Sequence, residues 1–323
     1  AASPVLSTLI ATYAYNVTGV CTGVAFTAAG VTGTVYASGR LASKSLPVAD
    51  AYGNIYYHYI DEDWNNTGLG RVDQVKRTVA VNGELSFDIS YHNGTSYISQ
   101  KLGYSDNNWT TLKTTCTYYN DVTNRLESKT LASVDLSGNI YYRYLNENFA
   151  ATGYGRVDRV IRNSADTDGA IAYKYEYQSA TSSVLKKKYL YADTDCTNLV
   201  ATLEYGPTGI LLKKIVSSDG TVRTYYASGR MESMTLTAPD IKGMTYYHYL
   251  DENWLAQGYG RQDKARIAVD AQEGYGGLSV IATYYPGTED VAVAKSYSDA
   301  NWTVLSRTFT FYSGFDNRAE SMT

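Results

Sequence analysis

Proline is nearly missing from this chain, with 5 in 323 residues, and histidine and cysteine are rarer still, at 3 each. Scarce proline beside 27 glycines fits many strands joined by tight turns. Cys21, Cys116 and Cys196 form no Cys-x-x-Cys pair and no metal-ligand spacing, so they leave the redox compartment open. There is no apolar run of the roughly 18 residues that a membrane-spanning helix needs. Basic charge is not in excess either. With a net charge of −4 the chain shows no broad footprint for phosphate, which argues against nucleic acid as a partner. No Gly-x-Ser-x-Gly, His-Glu-x-x-His or phosphate loop occurs. Helical periodicity is almost absent, and only Asp61 to Gly68 and its two counterparts read as a short helical turn.

Tyrosine is what the chain has in quantity, 33 against 6 Phe and 4 Trp. Its apolar ring and wet hydroxyl suit a pleated, half-buried surface. Tyr56-Tyr-His-Tyr59, Tyr173-Lys-Tyr-Glu-Tyr177 and Thr308-Phe-Thr-Phe-Tyr312 are aromatic runs with a period of two, and Asn-Gly, Ser-Gly and Pro-Gly turns punctuate the sequence between such runs.

The chain also repeats itself. Gly39-Arg40 is followed by Gly-Asn-Ile-Tyr-Tyr-His-Tyr59, Asp61-Glu-Asp-Trp64 and Gly-Leu-Gly-Arg71. The second copy runs Asn124-Arg125, Gly-Asn-Ile-Tyr-Tyr-Arg-Tyr144, Asn146-Glu-Asn-Phe149, Gly-Tyr-Gly-Arg156, and the third Gly229-Arg230, Tyr246-Tyr-His-Tyr249, Asp251-Glu-Asn-Trp254, Gly-Tyr-Gly-Arg261. The paired arginines keep one spacing, 40 to 71, 125 to 156 and 230 to 261, and Arg318 opens a fourth copy. Repeats of this kind bury apolar surface mainly against their neighbours. Residues 1–35 read as an incomplete unit, 36–118 as unit 1, 119–224 as unit 2, 225–311 as unit 3 and 312–323 as the start of a fourth. Unit 2 is longer by one hairpin at about 205–225, which makes the hairpin the elementary brick. The expected fold is all-β, consecutive antiparallel hairpins forming a ribbon, a solenoid or a shell-like spiral. The opening Ala-Ala-Ser-Pro is expected to follow a removed signal peptide, and the ends, lacking divergent caps, to favour association.

Gly53 to Asp61 with Gly70-Arg71-Val72, and Gly243 to Asp251 with Gly260-Arg261, follow Gly-x-x-x-Tyr-x-Tyr-x-Asp and then Gly-Arg. This resembles the tyrosine–aspartate (YD) repeat of RHS-type proteins in a variant spacing. The second copy departs by having Asn146 at the acidic position, and all three separate that position from Gly-Arg by more than the usual repeat does. The resemblance implies a hairpin ribbon winding into a spiral or shell on a secreted or surface protein.

Physically, glycine before arginine is expected to supply a positive φ at a hairpin turn, and the arginine to reach a carboxylate with its stem along a tyrosine. Arg40, Arg71, Arg125, Arg156, Arg230, Arg261 and Arg318, with Tyr57, Tyr59, Tyr142, Tyr144, Tyr247 and Tyr249, are thus structural repeat positions. Each tyrosine is expected to stack on its equivalent in the next hairpin. Asp61, Glu62, Asp251 and Glu252 offer oxygens to calcium, against the plainer reading of a loop paired to arginine. Trp64, Phe149 and Trp254, and Trp109 with Trp302, offer rows on which sugar rings could stack, or plugs between successive turns. Trp109 and Trp302 occupy a Tyr-x-Asp-x-x-Trp slot that Cys196 fills in another copy, and Cys21 is expected to fill in a degenerate one. His58 and His248 are equivalent and Arg143 takes their place in the middle copy, so no histidine reads as a poised base. No enzyme activity and no cofactor are expected. The reading is an extracellular or cell-surface structural protein of a fibre, sheath or surface layer, associating head to tail or as part of a longer array. Its rivals are a section of an RHS-type shell enclosing a toxin or cargo, and an adhesin that binds glycans.

Overall fold

The computed structural model describes residues 11–26, 30–64, 69–149, 154–254, 258–268, 277–314 and 318–323. These form strands, turns and loops with no helix among them, so the protein is all-β. Of the stretches read as helical turns, Asp61–Trp64, Asn146–Phe149 and Asp251–Trp254 are bends and irregular loop, and residues 65–68 lie outside the described residues. The bend is fixed locally: Glu62 N donates to Ile60 O at 2.9 Å and Ile60 N to Arg71 O at 2.8 Å, which leaves no helical ladder.

Two compact units divide the chain, Ala1–Asn163 and Ser164–Thr323. In the first, the described strands from Ala11–Tyr15 to Val157–Arg162 each pair antiparallel with the next in sequence, a meander in an open sheet. In the second, the described strands from Ala172–Tyr177 to Ala319–Met322 do the same. The residues added in the longest repeat are two strands of this second meander, Leu211–Val216 and Val222–Tyr225, paired at Lys213↔Thr224. Turn chemistry dictates the folding back. At Val81-Asn-Gly-Glu84, Asn82 (φ 53°) and Gly83 (φ 76°) both take the left-handed region, as a two-residue hairpin turn requires.

The sheets are pleated irregularly for a sequence-encoded reason. Strands repeatedly close on a tyrosine where the register slips by one residue: His58/Tyr59, Ser90/Tyr91, Gly103/Tyr104 and Arg143/Tyr144 in the first unit. Leu190/Tyr191, Glu204/Tyr205, His248/Tyr249 and Ser296/Tyr297 repeat it in the second. Each bulge increases the local right-handed twist and re-aims the terminal tyrosine. Tyr59, Tyr104 and Tyr144 in one unit, and Tyr249 in the other, are buried.

The core is thin and mixed. Across the first unit one row runs Tyr57, Val75, Phe87, Gly103 and Thr114 on successive strands, with Phe87 only 2% exposed. Buried serines tie the meander to its own loops: Ser86 Oγ donates to Asp106 O and Ser279 Oγ to Asp299 O, both at 2.6 Å. Such bonds are needed because a buried hydroxyl without a partner is costly.

Candidate functional site

The repeated arginines gather the most distinctive side chains. Arg156 forks onto Glu147, Nε to Oε1 at 2.6 Å and Nη2 to Oε2 at 2.7 Å, while its backbone N–H donates to the same Oε1 at 3.0 Å. Arg261 binds Glu252 in the same way, at 2.6, 2.8 and 3.1 Å. Arg71 binds Glu62 through Nε and, at 2.6 Å, through Nη2. The free corner of two forks caps a loop carbonyl, Arg71 on Thr95 O and Arg261 on Thr288 O at 2.7 Å. The arginine beside each carboxylate holds Glu62, Glu147 and Glu252 below the usual carboxylate range, as charge-assisted pairing does.

The preceding glycines act as the sequence suggested before Arg40 and Arg230 but not before the three clasping arginines. Gly39 and Gly229, before Arg40 and Arg230, do have positive φ (84° and 82°), as does Asn124 (48°) before Arg125. Gly70, Gly155 and Gly260, before the clasping arginines, are required by close approach instead. A Cβ there would lie 1.4, 1.8 and 1.7 Å from the carbonyl oxygens of Ile60, Leu145 and Leu250. The backbones must touch for the Arg71–Ile60, Arg156–Leu145 and Arg261–Leu250 hydrogen bonds to form.

The aromatic residue of each loop lies under the guanidinium. Arg71 sits 4.9 Å from Trp64 and 4.7 Å from Tyr91, Arg156 sits 5.4 Å from Phe149, and Arg261 sits 4.5 Å from Trp254 and 4.8 Å from Tyr284. Rings covered this way present less face to a sugar. The oxygens offered to calcium have partners within the protein: Glu62 and Glu252 are committed to arginine, while the exposed Asp61 accepts from Ser38 Oγ at 2.7 Å and the exposed Asp251 from Ser228 Oγ at 2.6 Å. Among the described residues no group of three or more His, Cys, Asp and Glu converges as a metal would need.

The other arginines do lighter work. Arg40 reaches Asp63 at 2.9 Å, Arg230 reaches Asn253 at 3.0 Å, and Arg318 is exposed. Arg125 binds Asp121 at 3.0 and 2.8 Å. Burial opposes ionisation of Asp121, yet bonds from Thr123 and Arg125 outweigh it and bring the carboxyl down to about 2. The paired tyrosines stack along their own strand rather than on the next hairpin: Tyr57 on Tyr59 (6.4 Å), Tyr142 on Tyr144 (6.5 Å) and Tyr247 on Tyr249 (6.4 Å). Residues i and i+2 share one face of a strand, and the bulge tilts the second ring toward the first.

One repeated site was missed from the sequence. Tyr57, Tyr142, Tyr173 and Tyr247 each donate a hydroxyl to the aspartate seven residues earlier, Asp50, Asp135, Asp166 and Asp240. The other carboxylate oxygen accepts two backbone N–H groups of the turn, for example from Ser137 and Asn139, both at 2.9 Å. Gly53, Gly138, Gly169 and Gly243 supply the positive φ that closes the turn (77°, 78°, 80° and 73°). At Asp50 the Tyr57 hydroxyl leads in holding the carboxyl down; at Asp135, Asp166 and Asp240 burial opposes ionisation but the hydroxyl and turn N–H groups win. The signal was present as Asp-x-x-Gly-x-x-x-Tyr, but its copy at Asp166 lies outside the arginine frame.

The tryptophan slot has one backbone shape. Trp109, Cys196 and Trp302 share φ values of 56°, 58° and 57°. The indoles point inward, Trp109 Nε1 donating to Phe87 O at 3.1 Å and Trp302 Nε1 to Val280 O at 3.2 Å, with Lys76 and Arg266 over their faces. Cys21 does not share the slot: it begins the strand Cys21–Phe26 after a turn at Gly19, where Leu41 stands after Gly39. All three thiols are free. His58 Nδ1 lies 2.7 Å from Asp73 and His248 Nδ1 2.6 Å from Asp263, while Arg143 donates to Asp158 at 2.6 Å in the corresponding place.

No protein-family model matches the chain, and no curated protein matches it. Among solved structures it is similar to the toxin complex TcdB2-TccC3, at 10% identity over 96% of this chain and 17% of that one, with a TM-score of 0.23. A Photorhabdus luminescens Tc holotoxin pore gives 10% identity, 97% and 17% coverage and 0.23, and a porin-like protein from Bacteroides uniformis 10%, 93% and 87% coverage and 0.15. The chain thus spans 17% of the length of the toxin chains it resembles. At such identities and scores, fold and function rest on the chain's own residues.

Proposed function

We propose that this chain is an architectural, non-catalytic segment of an extracellular or cell-surface protein, a hairpin ribbon of a fibre, sheath or surface layer. The observation that carries the reading is the arginine clasp, built three times from Arg71–Glu62, Arg156–Glu147 and Arg261–Glu252 with the same connectivity. Reaction chemistry needs one preorganised site, whereas identical clasps that accept Phe149 for Trp64 serve to hold loops. Arg143 in place of His58 and His248 supports this too, because an arginine cannot cycle protons near neutral pH. Within each unit the described strands pair with their sequence neighbours, so the ribbon extends by adding hairpins, from more of the same chain or from further copies associating head to tail. A section of an RHS-type shell is the second reading, favoured by the Tyr–Asp clasp beside the Gly-x-x-x-Tyr-x-Tyr-x-Asp pattern. Electron micrographs of the purified protein test both. Filaments or sheets support the first reading, closed hollow particles the second, and dispersed monomers at all concentrations neither. Glycan-array binding that is lost in Trp64→Ala and Trp254→Ala with folding intact would replace both by an adhesin.

A further inference from the structure

A cavity of about 380 Å³ opens on the first unit beside the Arg156 clasp, where Tyr144 and Tyr154 line it, and its lining is unlike the rest of the chain. Its floor is a row across three adjacent strands, Lys101, Cys116 and Lys129, held in register by the Lys101↔Cys116 and Lys129↔Cys116 pairs. Lys113 reaches in from above Gly83, its Nζ so close that a Cβ there would lie 2.0 Å from it. Against these three ammonium groups stands one carboxylate, Glu84, whose Oε1 takes the Thr114 hydroxyl and whose Oε2 is 3.9 Å from Lys101. Glu84 and Thr114 fit together because Gly103, between them, has no Cβ: one would lie 2.5 Å from the carboxylate. Neither Lys113 nor Lys129 has an ion-pair partner among the described residues. In a chain of net charge −4 this is a local concentration of positive charge in a concavity.

Apart from Asn82, Asn124, Leu126 and Leu131, the remaining groups are hydroxyl donors with aromatic bodies. Tyr118, Tyr144 and Tyr154 form a wall. Burial pushes the Tyr118 and Tyr144 phenols and the Cys116 thiol up, so all three keep their protons and add no negative charge. Burial also pushes the Lys101 ammonium down, with Arg77 and Lys129 adding to that against Glu84, and an incoming anion would relieve it. The lining therefore has donors in excess and few free acceptors. Its volume lies in the usual range for small-molecule sites.

We propose that this cavity binds a small hydroxylated carboxylate, an acidic sugar of the hexuronate kind, its carboxylate between Lys113 and Lys129 and a ring face against the tyrosine wall. This does not depend on the architectural reading above. Cys116 gives a direct readout, since it lies in the cavity floor while Cys196 is buried in the other unit. The intact protein is labelled with a neutral maleimide, each cysteine is quantified by mass spectrometry, and glucuronate, glucose and inorganic phosphate serve as probes. Glucuronate is expected to slow labelling of Cys116 alone and glucose not to. Lys129→Gln and Lys113→Gln should each weaken that protection about tenfold, the loss of one charge-assisted contact. Circular dichroism and an unchanged unfolding midpoint certify that the variants are folded, and Cys196 in the other unit serves as the labelling reference. No protection by glucuronate, equal protection by glucose, or unchanged protection in both variants would overturn the proposal. Equal protection by phosphate would overturn the sugar assignment and leave a bare anion site.

Discussion

Glu147 receives Arg156 through both carboxylate oxygens, and the Arg156 side chain is only 6% exposed, the deepest of the three clasps. A bidentate, half-buried pair is rigid and directional, so its value lies in fixing where the loop after Tyr144 returns to the sheet. Arg156→Ala should cost about 1–3 kcal/mol in urea unfolding, because it strands a partly buried carboxylate. Arg71→Ala and Arg261→Ala should cost similar amounts. Arg156→Lys should recover less than half of the loss, since an ammonium cannot reproduce the fork. A loss confined to one copy would mean that the clasps are not equivalent.

The Tyr–Asp clasp separates two contributions. Tyr142→Phe removes one hydroxyl and should cost about 0.5–1.5 kcal/mol. Asp135→Ala also removes the acceptor for Ser137 N and Asn139 N and should cost more than Tyr142→Phe, by chemical denaturation of the same protein. Equal losses would show that the turn N–H bonds contribute nothing.

Glycines before arginine should divide by mechanism. Gly39 has open space where a Cβ would go, so Gly39→Ala should cost about 1–2 kcal/mol, the left-handed backbone alone. Gly155→Ala places a methyl against the Leu145 carbonyl and should cost clearly more, with loss of the Leu145–Arg156 hydrogen bond seen as faster amide exchange at Leu145. Equal tolerance of both would refute the close-approach argument.

Acid and alkali should each unfold the protein for a nameable reason. The folded carboxyls of Glu62, Glu147 and Glu252 are lowered, so their contribution is present above the ordinary carboxylate range near 4.3 and lost as pH falls through the folded values. Asp121, at about 2, carries the loss to the bottom of that window. Burial raises Tyr91, Tyr104 and Tyr284 to about 12, so stability holds below about 10 and falls as pH climbs from 10 to 12. Phenolate absorbance and far-ultraviolet dichroism recorded together check this. These three tyrosines should ionise late and with unfolding, whereas early ionisation of all tyrosines in a folded protein would contradict it.

Two strands should be removable. Tyr205 and Tyr225 occupy the same bulge before a tight turn, at Glu204/Tyr205 and Thr224/Tyr225. Deleting 206–225 joins Tyr205 to Tyr226-Ala-Ser-Gly-Arg230, so Leu199–Tyr205 can take the place of Val222–Tyr225 beside Met231–Thr235. The shortened protein should stay soluble with an unchanged strand spectrum by circular dichroism. An insoluble product would show that the two strands are not an independent brick.

What the sequence by itself determined is the local part. Alternating tyrosines, Asn82-Gly83, Gly39-Arg40 and Gly229-Arg230 specify strands and turns, because period two and positive φ are properties of neighbouring residues. Even Glu as the arginine partner was legible, since Glu62, Glu147 and Glu252 stay fixed while Asp61 and Asp63 become asparagine at 146 and 148. Tertiary structure alone decided what lies across the strands: Trp64 beneath Arg71, Cys21 outside the tryptophan slot, and Lys101, Cys116 and Lys129 in one row. Those neighbours depend on register, and register here is reset at each tyrosine bulge. A slip of one residue turns every side chain to the opposite face, so the partners emerge only when the sheet has formed.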